Sequence, residues 1–163
     1  MIRSVAVVPH ASVKARPRAA AVALITVATP GCTIARRPDL RALHLSFDTL
    51  AGELEAASLR VPQATAAVPF ATEHAHAIAA FMSGLQRERE SLDLLVCESE
   101  GYARSVTIAR WAAQQLGCPL REPAPVAAVT SCALMDSVLK QLPHPAHDAV
   151  RRAPQAADWA VQP

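Results

Sequence analysis

Short continuous apolar runs alternate with longer segments of helical period along the first 142 residues. Residues 4–8 and 21–28 are unbroken aliphatic runs, the pattern of strands covered on both faces. Residues 40–47 alternate instead, with Leu43, Leu45 and Phe47 set against His44 and Ser46, which predicts a third, half-covered strand. Thr72 and Glu73 open a helix: threonine is placed to cap it and glutamate suits its first turn. Ala75, Ile78, Ala79, Met82 and Leu85 form the apolar stripe of that helix. Residues 92–96 are the next strand. Val106, Ala109, Ala113 and Leu116 then recur at helical spacing, and Gly117 supplies a stop. Trp111 falls off this stripe and is expected half-exposed. A last helix is predicted over 131–142, with Leu134, Met135, Val138 and Leu142 inward.

Strands alternating with helices predict an α/β domain with a mostly parallel central sheet flanked by helices, spanning residues 1–142. Residues 51–70 show no firm period and read as a loop, and residues 143–163 read as a loose C-terminal extension. At 163 residues the chain is long enough to bury a core, and with only 4% aromatic residues that core is expected to be aliphatic. A net charge of +2, without a basic cluster, gives no support for a nucleic-acid partner. No apolar run is long enough to span a bilayer, so no membrane partner is expected. The four cysteines, Cys32, Cys97, Cys118 and Cys132, include no C-x-x-C pair and read as reduced thiols of a cytoplasmic protein.

The chemistry concentrates in C-E-S-E-G-Y-A-R-S, residues 97–105, which joins the fourth strand to the following helix. A loop feeding a helix N-terminus presents unpaired N–H groups and the positive end of the helix dipole, which together make an anion site. Arg104 adds a guanidinium able to grip two oxygens of a phosphate. Such a setting lowers a thiol's pKa and makes Cys97 a nucleophile, with Ser105 placed to hydrogen-bond the sulfur.

The segment L-D-L-L-V-C-E-S-E-G-Y-A-R-S-V-T-I-A-R-W-A-A resembles the signature region of the cysteine-dependent protein tyrosine and dual-specificity phosphatases. That signature is a hydrophobic strand, then H-C-x-x-G-x-x-R-S, then an apolar helix. A-V-A-L-I-T-V-A-T-P-G and L-R-A-L-H-L-S-F-D resemble the strands that precede the catalytic aspartate in small bacterial members. T-E-H-A-H-A-I-A-A-F-M resembles the helix before the signature, so the likeness covers residues 21–142. It implies a protein-tyrosine-phosphatase-like fold and hydrolysis of a phosphomonoester, on a phosphorylated protein or a small molecule, without a cofactor. Carried over by residue, it implies a Cys97 nucleophile and a phosphate cradle of Gly101, Tyr102, Ala103 and Arg104. It also implies an assisting Ser105 and a general acid at Asp48.

The loop departs from the signature by one residue, because six residues rather than five separate Cys97 from Arg104. Aligned from Gly101, Arg104 and Ser105, the nucleophile's place is taken by Glu98, and Cys97 takes that of the preceding histidine. Adjacent strand positions face opposite ways, so Cys97 and Glu98 cannot both enter the site. Either the loop bulges and Cys97 faces the cradle, or the loop keeps its size and Glu98 points inward. A carboxylate there would satisfy the amides and Arg104 and repel phosphate. The chain would then be an inactive phosphatase-like module for anion binding or for a protein partner.

Other chemistry is weakly signalled. His74 and His76, two apart on a helix, face different directions and do not chelate one ion, so they are expected exposed; His144 and His147 lie in the tail near Asp148. Neither paired C-x-x-C nor H-E-x-x-H is present, and no metal is expected. Ser99 lacks the first glycine of a serine-hydrolase elbow and an evident histidine–acid pair. Cys118 and Cys132 read as core thiols.

Overall fold

The computed structural model describes residues 1–15, 21–30, 39–47, 70–99 and 101–142. Asp48, Cys32, Glu100, most of the expected loop at 51–70 and the extension from 143 lie outside the described residues. Among the described residues, five strands form one sheet: β1 (Ile2–Val7), β2 (Val22–Ala28), β3 (Arg41–Ser46), β4 (Leu92–Glu98) and β5 (Leu120–Arg121). Their order is β3-β2-β4-β1-β5 and every pairing is parallel. The continuous apolar runs become central strands: all seven residues of β2 are buried, and β4 is covered almost throughout. The alternating run becomes the edge strand β3, where Leu45 is buried and His44 is exposed. Parallel strands need crossover connections, and helices are described between β1 and β2, between β3 and β4 and between β4 and β5.

Among the described residues, five helices accompany the sheet: α1 (His10–Lys14), α2 (Thr72–Gln86), α3 (Ala103–Leu116), α4 (Ala124–Ala127) and α5 (Ala133–Leu139). The main core lies between one sheet face and α2, α3 and α5, where Ile25, Val27, Leu94, Val96, Ile78, Ile108 and Met135 are fully enclosed. A smaller cluster on the other face joins Val13 of α1 to Leu24, Leu95 and Cys97. Gly117 ends α3 in the left-handed region at φ 60°, and its N–H bonds back to the helix carbonyls. None of the described helices is long and apolar enough to cross a membrane.

Several local expectations need correction. Trp111 is 5% exposed rather than half-exposed: α5 packs against α3, which is therefore covered beyond the side that its own stripe predicts. The last helix is shorter than its period suggested; Leu134 is 46% exposed, while Leu139 takes an inward place. The proline-rich connection contains β5 and α4, each too short to show periodicity. Thr72 does not cap α2. His74 does so instead, its Nδ1 accepting from the Ala71 N–H at 3.0 Å, with its ring against Phe47 and Phe70. The residue is therefore half-buried, not free on the surface.

Arg110 holds the connection after β5 onto α3. It donates from Nε and Nη2 to both oxygens of Glu122, at 2.9 and 3.1 Å, and to the carbonyls of Val129 and Ala127. Replacement by methionine, which retains the apolar stem, is expected to speed amide hydrogen exchange across residues 122–131. Exchange in β2 and β4 should stay unchanged; equal acceleration in both regions would show that the clamp is not local.

Candidate functional site

The site is built where β4 gives way to α3. The strand continues two residues past its apolar run, through Cys97 and Glu98, and Gly101 at φ 75° reverses the chain. A side chain is strained in that left-handed conformation, so the turn requires glycine. Tyr102 follows as the N-cap, half-buried against the main core, and α3 begins at Ala103. The N–H groups of Arg104 and Ser105 then stand at the open end of the helix with no intrahelical acceptor.

Strand alternation settles which side chain meets them. Glu98 lies on the α3 side of the sheet and is 7% exposed. Its Oε2 accepts from the Arg104 and Ser105 N–H groups, each at 3.1 Å. Its Oε1 accepts from Arg104 Nε at 2.5 Å. Arg104, 5% exposed, also donates from Nη1 to the Phe47 carbonyl at 2.8 Å and from Nη2 to the Thr29 hydroxyl at 3.3 Å. Its guanidinium lies 5.9 Å from the Phe47 ring centre. A planar carboxylate thus bridges the helix terminus and the Arg104 Nε, with charge-assisted bonds on both oxygens.

Cys97 lies on the opposite face, fully buried with Val8, Leu24 and Leu95. Burial among aliphatic groups, then the Glu98 charge, pushes its thiol from the ordinary 9.0 up to about 12. The expected nucleophile is therefore neither in the cradle nor a thiolate at neutral pH; the helix terminus that would lower its pKa faces the other way. Ser105 does not reach toward it either, because its hydroxyl donates to the Tyr102 carbonyl at 3.0 Å. Gly101 to Ser105 follow one another through the turn into α3, and of these Arg104 and Ser105 donate to Glu98, which fills the space between them.

Reading the sequence alone missed the groups that hold Arg104 from the far side. Thr29 and Phe47 follow β2 and β3, whose C-terminal ends lie beside that of β4 in a parallel sheet. The available signal was the apolar runs themselves, since polar groups just beyond parallel strands converge on one edge. The Ser99 hydroxyl is enclosed without a hydrogen-bond partner and has no histidine–acid pair serving it among the described residues. Cys118 and Cys132 are half-buried. No group of three histidine, cysteine or acidic side chains is placed to hold a metal among the described residues. Comparison with protein-family models, curated proteins and solved structures found no match for this chain.

The Cys97 thiol has a measurable consequence. Its folded-state pKa lies above the unfolded value, so its contribution to stability is full below pH 9.0 and lost as pH rises toward about 12. Urea denaturation should show wild type losing stability across that window more steeply than Cys97→Val, which has no thiol to ionise. Parallel pH profiles for the two proteins would contradict a thiol held neutral by burial.

Proposed function

We propose that this chain is a catalytically silent phosphatase-like protein, an interaction module whose anion cradle is filled by its own Glu98. One observation carries this reading: the Glu98 carboxylate accepts both helix-terminal N–H groups and Arg104 Nε. Arg104 is the residue the phosphatase resemblance assigns to a bound phosphate, and Ser105 the one it puts beside the nucleophile. The parallel sheet and its strand–loop–helix connection suit the same reading, as does the coincidence of Glu98 with the nucleophile's place when the loop is aligned from Arg104.

Phosphate has little prospect of displacing such an occupant. A tethered group competes at an effective concentration on the order of millimolar or more. Its departure would also leave a charge with no water shell in the sheet edge. Breaking a buried ion pair costs about 3–5 kcal/mol, and both partners here are more than nine-tenths enclosed. Glu98 is equally unsuited to attack phosphorus, because both oxygens already accept hydrogen bonds and an incoming ester would be repelled. The activity left to the scaffold is recognition of a protein partner by its surface, with the plugged cradle acting as a rigid joint.

Wild type is expected to hydrolyse p-nitrophenyl phosphate no faster than Cys97→Ser, and vanadate should leave its melting temperature unchanged. Glu98→Cys, which empties the cradle of its carboxylate, should gain stability on adding vanadate. Glu98→Gln retains an acceptor for the helix terminus and serves as the folded control. Wild-type turnover that disappears in Cys97→Ser would overturn the reading.

A further inference from the structure

We propose that the groove formed by β1, β4 and β5, on the sheet face opposite the Glu98 cradle, binds a short aliphatic carboxylate. The alternation that turns Cys97 away from the cradle also puts Leu95 and Asp93 of β4 on this face, two and four residues away along the same strand. Ser4 of β1 pairs in register with Asp93, and Ala6 pairs with Arg121 of β5. These residues, with Val8 and Pro123, line an open groove of about 250 Å³.

Its floor is aliphatic: Ala6, Val8, Leu95 and Pro123. Its charges do not balance, and the imbalance selects the ligand. The Asp93 carboxylate accepts from the Ser4 hydroxyl at 2.9 Å and from Arg3 at 3.2 Å. Glu122 is held by Arg110 through both oxygens. Both acids in the groove therefore have cations of their own. Arg121 is exposed and, among the described residues, makes no ion pair or side-chain hydrogen bond. One unmatched positive charge beside an aliphatic floor favours a monoanion with an apolar body, and the guanidinium fork matches a carboxylate. At about 30 Å³ for each water-sized unit, the groove holds roughly eight non-hydrogen atoms, the size of hexanoate. It lies below the range typical of drug-sized ligands, which argues for a small one.

The test is a titration of the full chain with sodium hexanoate, followed by amide chemical shifts. Saturable shifts are expected at Ala6, Leu95 and Arg121, with those of Gly101 to Ser105 unmoved. Arg121→Gln, a change at an exposed position, should weaken binding about tenfold by removing the charged donor. Hexylammonium, which has the same body and the opposite charge, should not compete. The proposal is overturned by absence of saturation, by equal binding of hexylammonium or by unchanged affinity in Arg121→Gln. Shifts at the groove that depend on protein concentration without ligand would assign it to a second copy of the chain and overturn it too.

Discussion

The architecture of the site depends on where one carboxylate goes. The start of α3 carries N–H groups that its own backbone cannot satisfy, and it lies at the C-terminal edge of a parallel sheet, where water is excluded. Arg104 enters the same space, and a guanidinium cannot shed its charge. Something anionic has to be there. Glu98 meets both demands, taking two N–H bonds on one oxygen and the arginine Nε on the other. The pair is weak evidence for net stability, since desolvation opposes its attraction. It is stronger evidence for specificity, because a slip of β4 by one residue would bury Cys97 against Arg104 and strand the carboxylate on the apolar face.

That constraint reaches well beyond the loop. Arg104 extends from the β4 edge to Thr29 beyond β2 and to the Phe47 carbonyl beyond β3, so three strand ends share one cation. Phe47 packs edge-on against Phe70 at 4.9 Å between ring centres and tilts against His74, linking this edge to the start of α2. Thr107, one turn into α3, accepts from the Cys132 N–H at 2.7 Å and so ties α5 to the same helix. The centre of this network is closed from within by the Glu98 carboxylate.

Much of this was legible in the amino-acid sequence. The unbroken runs of β2 and β4 and the alternating run of β3 specify central and edge strands, because burial on two faces or one leaves that mark. Gly101 and Gly117 mark their turns for the same physical reason, a left-handed backbone. The register of the loop was legible only as two alternatives. Cys97 and Glu98 are adjacent, and their facing depends on how far β4 extends past its apolar run, a matter of tertiary pairing with Thr26 and Val27 of β2. Trp111 was misread because a stripe reports the face packed on the sheet and says nothing of a second layer such as α5. The elements β5 and α4 left no signal, being shorter than any period that could reveal them.

Whether Glu98 is the resident anion of the cradle is decided by a crystal structure grown in orthovanadate. The expected density has the Glu98 carboxylate on the Arg104 and Ser105 N–H groups, no vanadium between them, and Cys97 buried on the other face. Vanadate seated on Arg104 and bonded to the Cys97 sulfur, with Glu98 turned outward, would contradict it.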